Sequence, residues 1–319
     1  MRFSPEEVLF SPSTDCNLRC EHCAVPQTRQ VLPVSSATKF LKDCASHHIE
    51  KVGFTGGEVF LHTDFLYPVV KKARVLGMAF TFITTNAQWF KDRLHLRRVL
   101  QGLLRAGYDG SFFVSVDHFH KGPVANIGLF IEEAVRLWQR PDIVSLAYVW
   151  GVYERRTASR IQSVADGLML SSKGSLSRGT CCLTNQAYCI RTYKVPFSAA
   201  RGKEYIRDPW HFRQWFKEDY CRGPGNVLFV MADGTVKPCC GYGFHSQMLT
   251  IGNIRHDPVK TLLARAGRNR FVQTVFRRGL SAIRKNMTAK GMRFPGKTKD
   301  QCYLCEYLLA QPAVQKAFL

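Results

Sequence analysis

The chain has 319 residues, 45% of them hydrophobic, with 45 Lys and Arg against 24 Asp and Glu and a formal net charge of +21. No run of about 18 apolar residues occurs, which argues against a membrane-spanning helix, and the first residues lack the charged and apolar regions of a signal peptide. A cytoplasmic location is expected, and there twelve cysteines read as metal ligands or reactive thiols rather than disulfides.

Short β-rich runs occur at 8–14 (VLFSPST), 51–57 (KVGFTGG), 79–86 (AFTFITTN), 111–119 (SFFVSVDHF) and 142–150 (DIVSLAYVW), with a sixth at 193–198 (YKVPFS). Helical patterns lie between them, among them SSATKFLKDCASHH and NIGLFIEEAVRLWQ. Near-continuous apolar strands alternating with helices predict an α/β fold, a parallel sheet with helices outside. Six such units make a partial (β/α)6 TIM-like barrel. In such folds the chemistry gathers at the C-terminal ends of the strands. CNLRCEHC (16–23), GGE (56–58), TTNA (84–87) and VDHFH (116–120) each follow a successive strand.

The last third differs, and a boundary is placed between a core of residues 1–205 and a smaller α+β domain of residues 206–319. NVLFVMADGTVKPCC (226–240) reads as a hairpin around Asp233-Gly234. From Pro258 to Lys299 there are twelve Lys or Arg and no acid. The interleaved apolar residues predict a helix with one buried and one basic face. The basic side, around Arg277, Arg278, Arg284 and Lys285, is expected to hold an anionic partner, an acidic peptide above all.

Cys16, Cys20 and Cys23 place three thiols within eight residues at the end of the first strand. Three thiolates can hold three irons of a cubane cluster and leave the fourth iron open. Zinc with a distant fourth ligand is the alternative reading.

With CNLRCEHC, GGE, TTNA and SVD (115–117) at successive strand ends, the chain resembles the radical S-adenosylmethionine (SAM) superfamily. The resemblance implies a [4Fe–4S] cluster on Cys16, Cys20 and Cys23 that binds SAM at its open iron. It further implies reductive cleavage of SAM to a hydrogen-abstracting 5′-deoxyadenosyl radical. Gly56 and Gly57 would let backbone approach the methionyl ammonium closely, since no Cβ intrudes. Glu58 would orient that edge. Thr85, Asn86, Ser115 and Asp117 would hydrogen-bond the ribose or the methionyl carboxylate. His22 would set a ring near the adenine. Ala87 departs from the pattern, which often has Gly there.

Cys221, Cys239 in GTVKPC, Cys302 and Cys305 resemble the twitch domain, the short relative of SPASM, and imply a second, fully ligated [4Fe–4S] cluster. Zinc is again the alternative. Cys240 is surplus: a buried small hydrophobe or a hydrogen-atom donor. Cys44 reads as packing. Cys181, Cys182 and Cys189 read as structural or as lining a substrate channel.

FTGGEVFL (54–61), the D-x-x-H from Asp117 to His120, and PCC (238–240) are similar to the YydG-like epipeptide epimerases. That likeness implies conversion of L- to D-residues in a ribosomally made peptide. Abstraction and return must come from opposite faces, and Cys240 would return the hydrogen. The rivals are a thioether or C–C crosslinking enzyme, an alcohol-oxidising twitch enzyme and, from another class, a metal-stapled nucleic-acid binder. The expected partners are a precursor peptide, acidic in part, and a one-electron reductant such as flavodoxin or ferredoxin. No nucleic acid and no membrane is expected, and the chain is expected to be a monomer that recognises its peptide through the barrel mouth and the last third.

Overall fold

The computed structural model describes residues 4–26, 28–195, 208–217, 221, 226–239 and 241–318. Six strands, β1 (Glu7–Phe10), β2 (Lys51–Phe54), β3 (Ala79–Thr85), β4 (Ser111–Ser115), β5 (Val144–Val149) and β8 (Cys189–Val195), run parallel in that order. Helices α1 (Val34–Ser46), α2 (Thr63–Val75), α3 (Arg93–Arg105) and α4 (Val124–Trp138) connect the first five, α5 (Glu154–Gly167) follows β5, and the five cover the outside. This is the expected partial barrel. The strands end earlier than the apolar runs because residues after each strand peel away to form the site. The sixth begins at Cys189, ahead of the expected run, and residues 196–198 of that run lie outside the described residues. Before it, β6 (Ser171–Lys173) and β7 (Cys182–Thr184) form an antiparallel meander onto β8.

Strand alternation divides the core. Val8, Phe10, Val52, Phe54 and Ile83 point at the helices and are buried. Leu9, Phe82 and Phe229 point the other way and form a separate apolar cluster inside the barrel.

The strands of the last third extend the same sheet. β9 (Val227–Val230) pairs in parallel with β1, Glu7 opposite Val227. β10 (Thr235–Lys237) folds back antiparallel on β9, as the hairpin reading expected, and β11 (Gly252–Asn253) adds an edge. The boundary at residue 205 lies outside the described residues.

The basic stretch is three helices rather than one: α6 (Val259–Arg268), α7 (Arg270–Arg278) and α8 (Leu280–Ala289). Asn269 caps α7 by accepting from the Val272 N–H at 3.0 Å, and Gly279 turns the chain at φ 75°. Their apolar sides, Phe271, Val272 and Val275 then Leu280, Ile283 and Met287, are buried. α9 (Gln301–Leu309) and α10 (Pro312–Phe318) follow. No helix among the described residues is long and apolar enough to cross a membrane.

Candidate active site

The loop after β1 carries Cys16, Cys20 and Cys23 and is clamped by the turn after β2. Gly57 N–H donates to Ser13 O at 2.9 Å and Glu58 N–H to Asp15 O at 2.7 Å. A Cβ on Gly57 would stand 2.0 Å from Asp15 O. One on Gly56, at φ 113°, would stand 2.3 Å from Ser11 Oγ. Both glycines line the hollow beside the cysteines. Gly57 lets its backbone approach the Asp15 backbone, and Gly56 makes room for the Ser11 side chain.

Glu58 is buried. Its carboxylate accepts from Asn86 N–H at 2.8 Å, from Phe60 N–H at 3.2 Å and from Thr85 Oγ1 at 2.9 Å. Burial dominates these bonds and raises its pKa to about 7. Asn86, so held, donates through Nδ2 to Cys16 Sγ at 3.6 Å and to Asn17 Oδ1 at 2.9 Å. The Leu18 N–H also points at Cys16 Sγ, at 3.4 Å. Thr85 Oγ1 additionally accepts from Ala87 N–H and Trp89 Nε1–H, both at 3.2 Å. Thr85 and Asn86 both line the hollow beside the cysteines while making these bonds within the protein. Ala87 has φ 52°, the left-handed region that favours glycine.

Cys16, Cys20 and Cys23 surround a hollow of about 90 Å³ with Gly56, Glu58 and Asn86. Burial, then the neighbouring Cys23 and Cys16, push the Cys20 thiol up to about 12. Three thiolates this close need a multivalent cation among them. Three thiols around one hollow suit a polynuclear iron–sulfur cluster with one iron left open.

After β4, Asp117 is buried and spends its carboxylate on the His120 ring Nδ1 at 2.8 Å, Phe119 N–H at 3.1 Å and Val149 N–H at 3.2 Å. Burial pushes its pKa up, but the His120 charge and hydrogen bond, with His22 and Val149, outweigh it and hold the carboxyl at about 2. Asp117 thus orients His120 and lines the lumen beside it. The His22 ring lies 4.5 Å from Phe119 and 5.3 Å from His120 by centroids. Burial lowers the His22 pKa to about 4, so the ring is neutral near pH 7.

The hollow opens into the barrel lumen, a cavity of about 670 Å³ with largely apolar walls that include Phe82, Phe113, Phe229 and Met231. Both spaces share Thr14, Cys23, Gly56, Thr84, Ser115 and His120. Ser115 keeps its expected place. Thr84 lines both spaces and Thr85 the hollow alone, as strand parity implies: 82 and 84 face the lumen, 83 and 85 the other way.

The lumen is also lined by Gly241 and Cys302. A Cβ on Gly241 would stand 3.2 Å from Cys302 Sγ and 4.0 Å from Cys239 Sγ. Burial, followed by Cys239, Cys221 and Cys302, pushes the Cys305 thiol well above its usual range. All four expected auxiliary cysteines thus converge and could hold a second cluster. Cys240 lies outside the described residues. Burial and the adjacent Cys189 raise the Cys182 pKa. Cys181, Cys182 and Cys189 line neither space, and Cys44 is buried packing on α1.

Residues 10–135 match the radical SAM superfamily, and residues 221–306 match SPASM, an iron–sulfur cluster-binding domain. A GTP 3′,8-cyclase of Aquifex aeolicus is 35% identical over 98 residues, 28% of this chain and 31% of that protein. The homonymous enzyme of Chlorobaculum tepidum is 33% identical over 106 residues, 32% of this chain and 30% of that protein. The chain thus spans about a third of the length of the curated relatives it matches. Among solved structures, Streptococcus suis SuiB bound to precursor peptide SuiA superposes with TM-score 0.51 at 13% identity, over 95% of this chain and 76% of that one. Native anSMEcpe with bound AdoMet and Cp18Cys peptide superposes with TM-score 0.54 at 12% identity, over 98% of each chain. These identities establish likeness of fold.

Proposed function

Because this chain belongs to the radical SAM superfamily and carries a SPASM domain, its cofactors being [4Fe–4S] clusters and SAM, we propose that it epimerises L-residues to D-residues in a ribosomally made peptide. The observation that carries the reading is a single lumen lined both by Cys23 and His120 of the first cysteine region and by Gly241 and Cys302 of the second. Inversion needs removal of a hydrogen from one face and its return from the opposite face.

Cys16, Cys20 and Cys23 would hold the cluster, which together with SAM would supply the hydrogen-abstracting chemistry needed at the substrate Cα. The protein's residues do the rest. Asn86 and the Leu18 N–H stabilise the Cys16 sulfur as thiolate. Glu58 holds Asn86 in place. Ser115, Thr84 and the neutral His22 ring offer hydrogen bonds and a stacking face on the SAM side. His120, fixed by Asp117, stands where the SAM hollow meets the lumen and orients the substrate.

Cys240 is proposed as the donor on the far face. Its S–H bond breaks as a new Cα–H bond forms, leaving a thiyl sulfur. That sulfur returns to thiol by taking one electron and one proton, the electron drawn from a reductant such as flavodoxin or ferredoxin. Cys221, Cys239, Cys302 and Cys305 are proposed to hold the auxiliary cluster. A peptide substrate is supported by the lumen, whose volume lies within the usual range for ligand sites, and by the peptides held in SuiB and anSMEcpe.

The test is an anaerobic reaction in D2O with mass and chiral analysis. Thiols exchange with solvent, so epimerisation adds one mass unit at Cα. Cys240→Ala is expected to form 5′-deoxyadenosine without the D-residue. A product two mass units lighter would replace epimerisation with crosslinking or oxidation.

A further inference from the structure

The structure sorts the twelve cations of residues 258–299. Arg265 pairs with Asp257 at 2.7 Å, and Arg284 lies over the Trp215 ring, 4.5 Å from its centroid. Lys297 Nζ donates to Arg213 O at 3.1 Å, and Lys299 Nζ stands 5.2 Å from the Phe212 ring. These four have structural work. Another four, Arg270, Arg278, Lys285 and Lys290, line one concavity of about 670 Å³ between α7 and α8, with Thr274 and Ser281 among its hydroxyls. Arg277 and Arg284, expected on the same basic face, do not line it.

Local sequence explains the convergence. Arg270, Thr274 and Arg278 recur every fourth residue and share one face of α7, opposite the buried Phe271, Val272 and Val275. Ser281 and Lys285 do the same on α8. Among the described residues, no side-chain carboxylate lines the concavity and none of its four cations is ion-paired. Four like charges around one hollow repel, and a polyanion relieves that cost.

We propose that this concavity is a docking site for an acidic segment of the substrate peptide, distinct from the lumen where a residue is modified. The two share no lining residue. The inference rests on the peptide reading of the lumen. Carboxylates fit better than the other anions. A nucleic acid would want exposed aromatic platforms for its bases, and Phe318 alone is aromatic here. A lipid surface would want a free apolar helix face, and both helices turn theirs into the core.

The experiment measures fluorescence anisotropy of labelled hexaglutamate with the reconstituted full chain at low and high salt. Binding that weakens with salt is expected. The set Arg270→Glu, Arg278→Glu, Lys285→Glu and Lys290→Glu should weaken it at least about tenfold, from small contributions per pair. The pair Arg270→Lys and Arg278→Lys should retain it, and circular dichroism checks folding of both sets. Equal affinity in the charge-reversed protein overturns the proposal. So does tighter, charge-dependent capture of oligothymidylate or phosphatidylglycerol vesicles by these same residues. If charge reversal abolishes hexaglutamate binding but no peptide is ever modified, the docking site stands and the epimerase reading falls. Modification of a peptide with unchanged KM in the charge-reversed protein has the opposite meaning.

Discussion

The buried carboxylate of Glu58 accepts the Asn86 backbone N–H at 2.8 Å, and the same Asn86 reaches Cys16 Sγ at 3.6 Å through its side chain. One acid thereby sets the position of a cysteine it does not touch. Its pKa, raised by burial from 4.5 to about 7, has a consequence for stability. The native chain holds a proton that the unfolded chain releases, so stability falls as pH rises from about 4.5 through about 7. Urea unfolding of the metal-free chain should show a loss on the order of 2–3 kcal/mol over that window. Glu58→Gln should flatten it; an equal slope in the variant would show that another group titrates.

Glu133 reports the opposite sign. It is buried on α4 and bonded to Arg93 at 2.6 Å, Arg97 at 3.0 Å and Arg136 at 2.6 Å. Burial raises its pKa, but the three arginines outweigh burial and hold it at about 2. Its stabilisation is present above about 4.5 and lost as pH falls through about 2. Glu133→Ala removes the shared acceptor of three half-exposed guanidinium groups and should cost about 1–3 kcal/mol at neutral pH. A change under about 1 kcal/mol in denaturant midpoints would mean that water replaces the carboxylate.

Ala87→Gly should be nearly neutral. Glycine removes about 1–2 kcal/mol of left-handed strain, but gives up about 0.8 kcal/mol of methyl burial and about 0.5–1 kcal/mol of chain entropy. Ala87→Val, β-branched at the same φ, should destabilise by more than about 2 kcal/mol. Equal melting points for the two variants would contradict the left-handed geometry.

Replacing Cys16, Cys20 and Cys23 together by Ala should end 5′-deoxyadenosine formation while leaving the absorption of the auxiliary cluster. Cys305→Ala should do the reverse to iron content, removing the second cluster's share and keeping the first. Continued SAM cleavage by the triple variant would sink the assignment of that loop.

The six parallel strands and the cysteine loop were legible because each is a local pattern. The orientation of individual residues was legible only in part. Strand parity separates Thr84 from Thr85, but it cannot reveal that Asn86 and Asp117 spend their polar atoms on Cys16 and His120. Glu133 carried a readable signal, a charge in register with the apolar Phe130 and Ala134 of its helix, which demands buried partners. Where those partners lie depends on how α3 packs on α4, and spacing within one helix is silent on that. Pairing of β9 with β1 was out of reach for the same reason: both runs are apolar, and apolarity does not name a neighbour.

That pairing has a consequence for the order in which the protein can be made. Glu7 sits opposite Val227, so the earliest strand gains its second neighbour only after most of the barrel has been synthesised. Until then β1 offers a row of unsatisfied amides along one edge, available to any other strand in reach. Closing so long a loop is slow, because its entropy is lost before the contacts form. The wall laid down first is the wall closed last, and the lumen lacks the part of its lining that Phe229 and Met231 supply until they arrive.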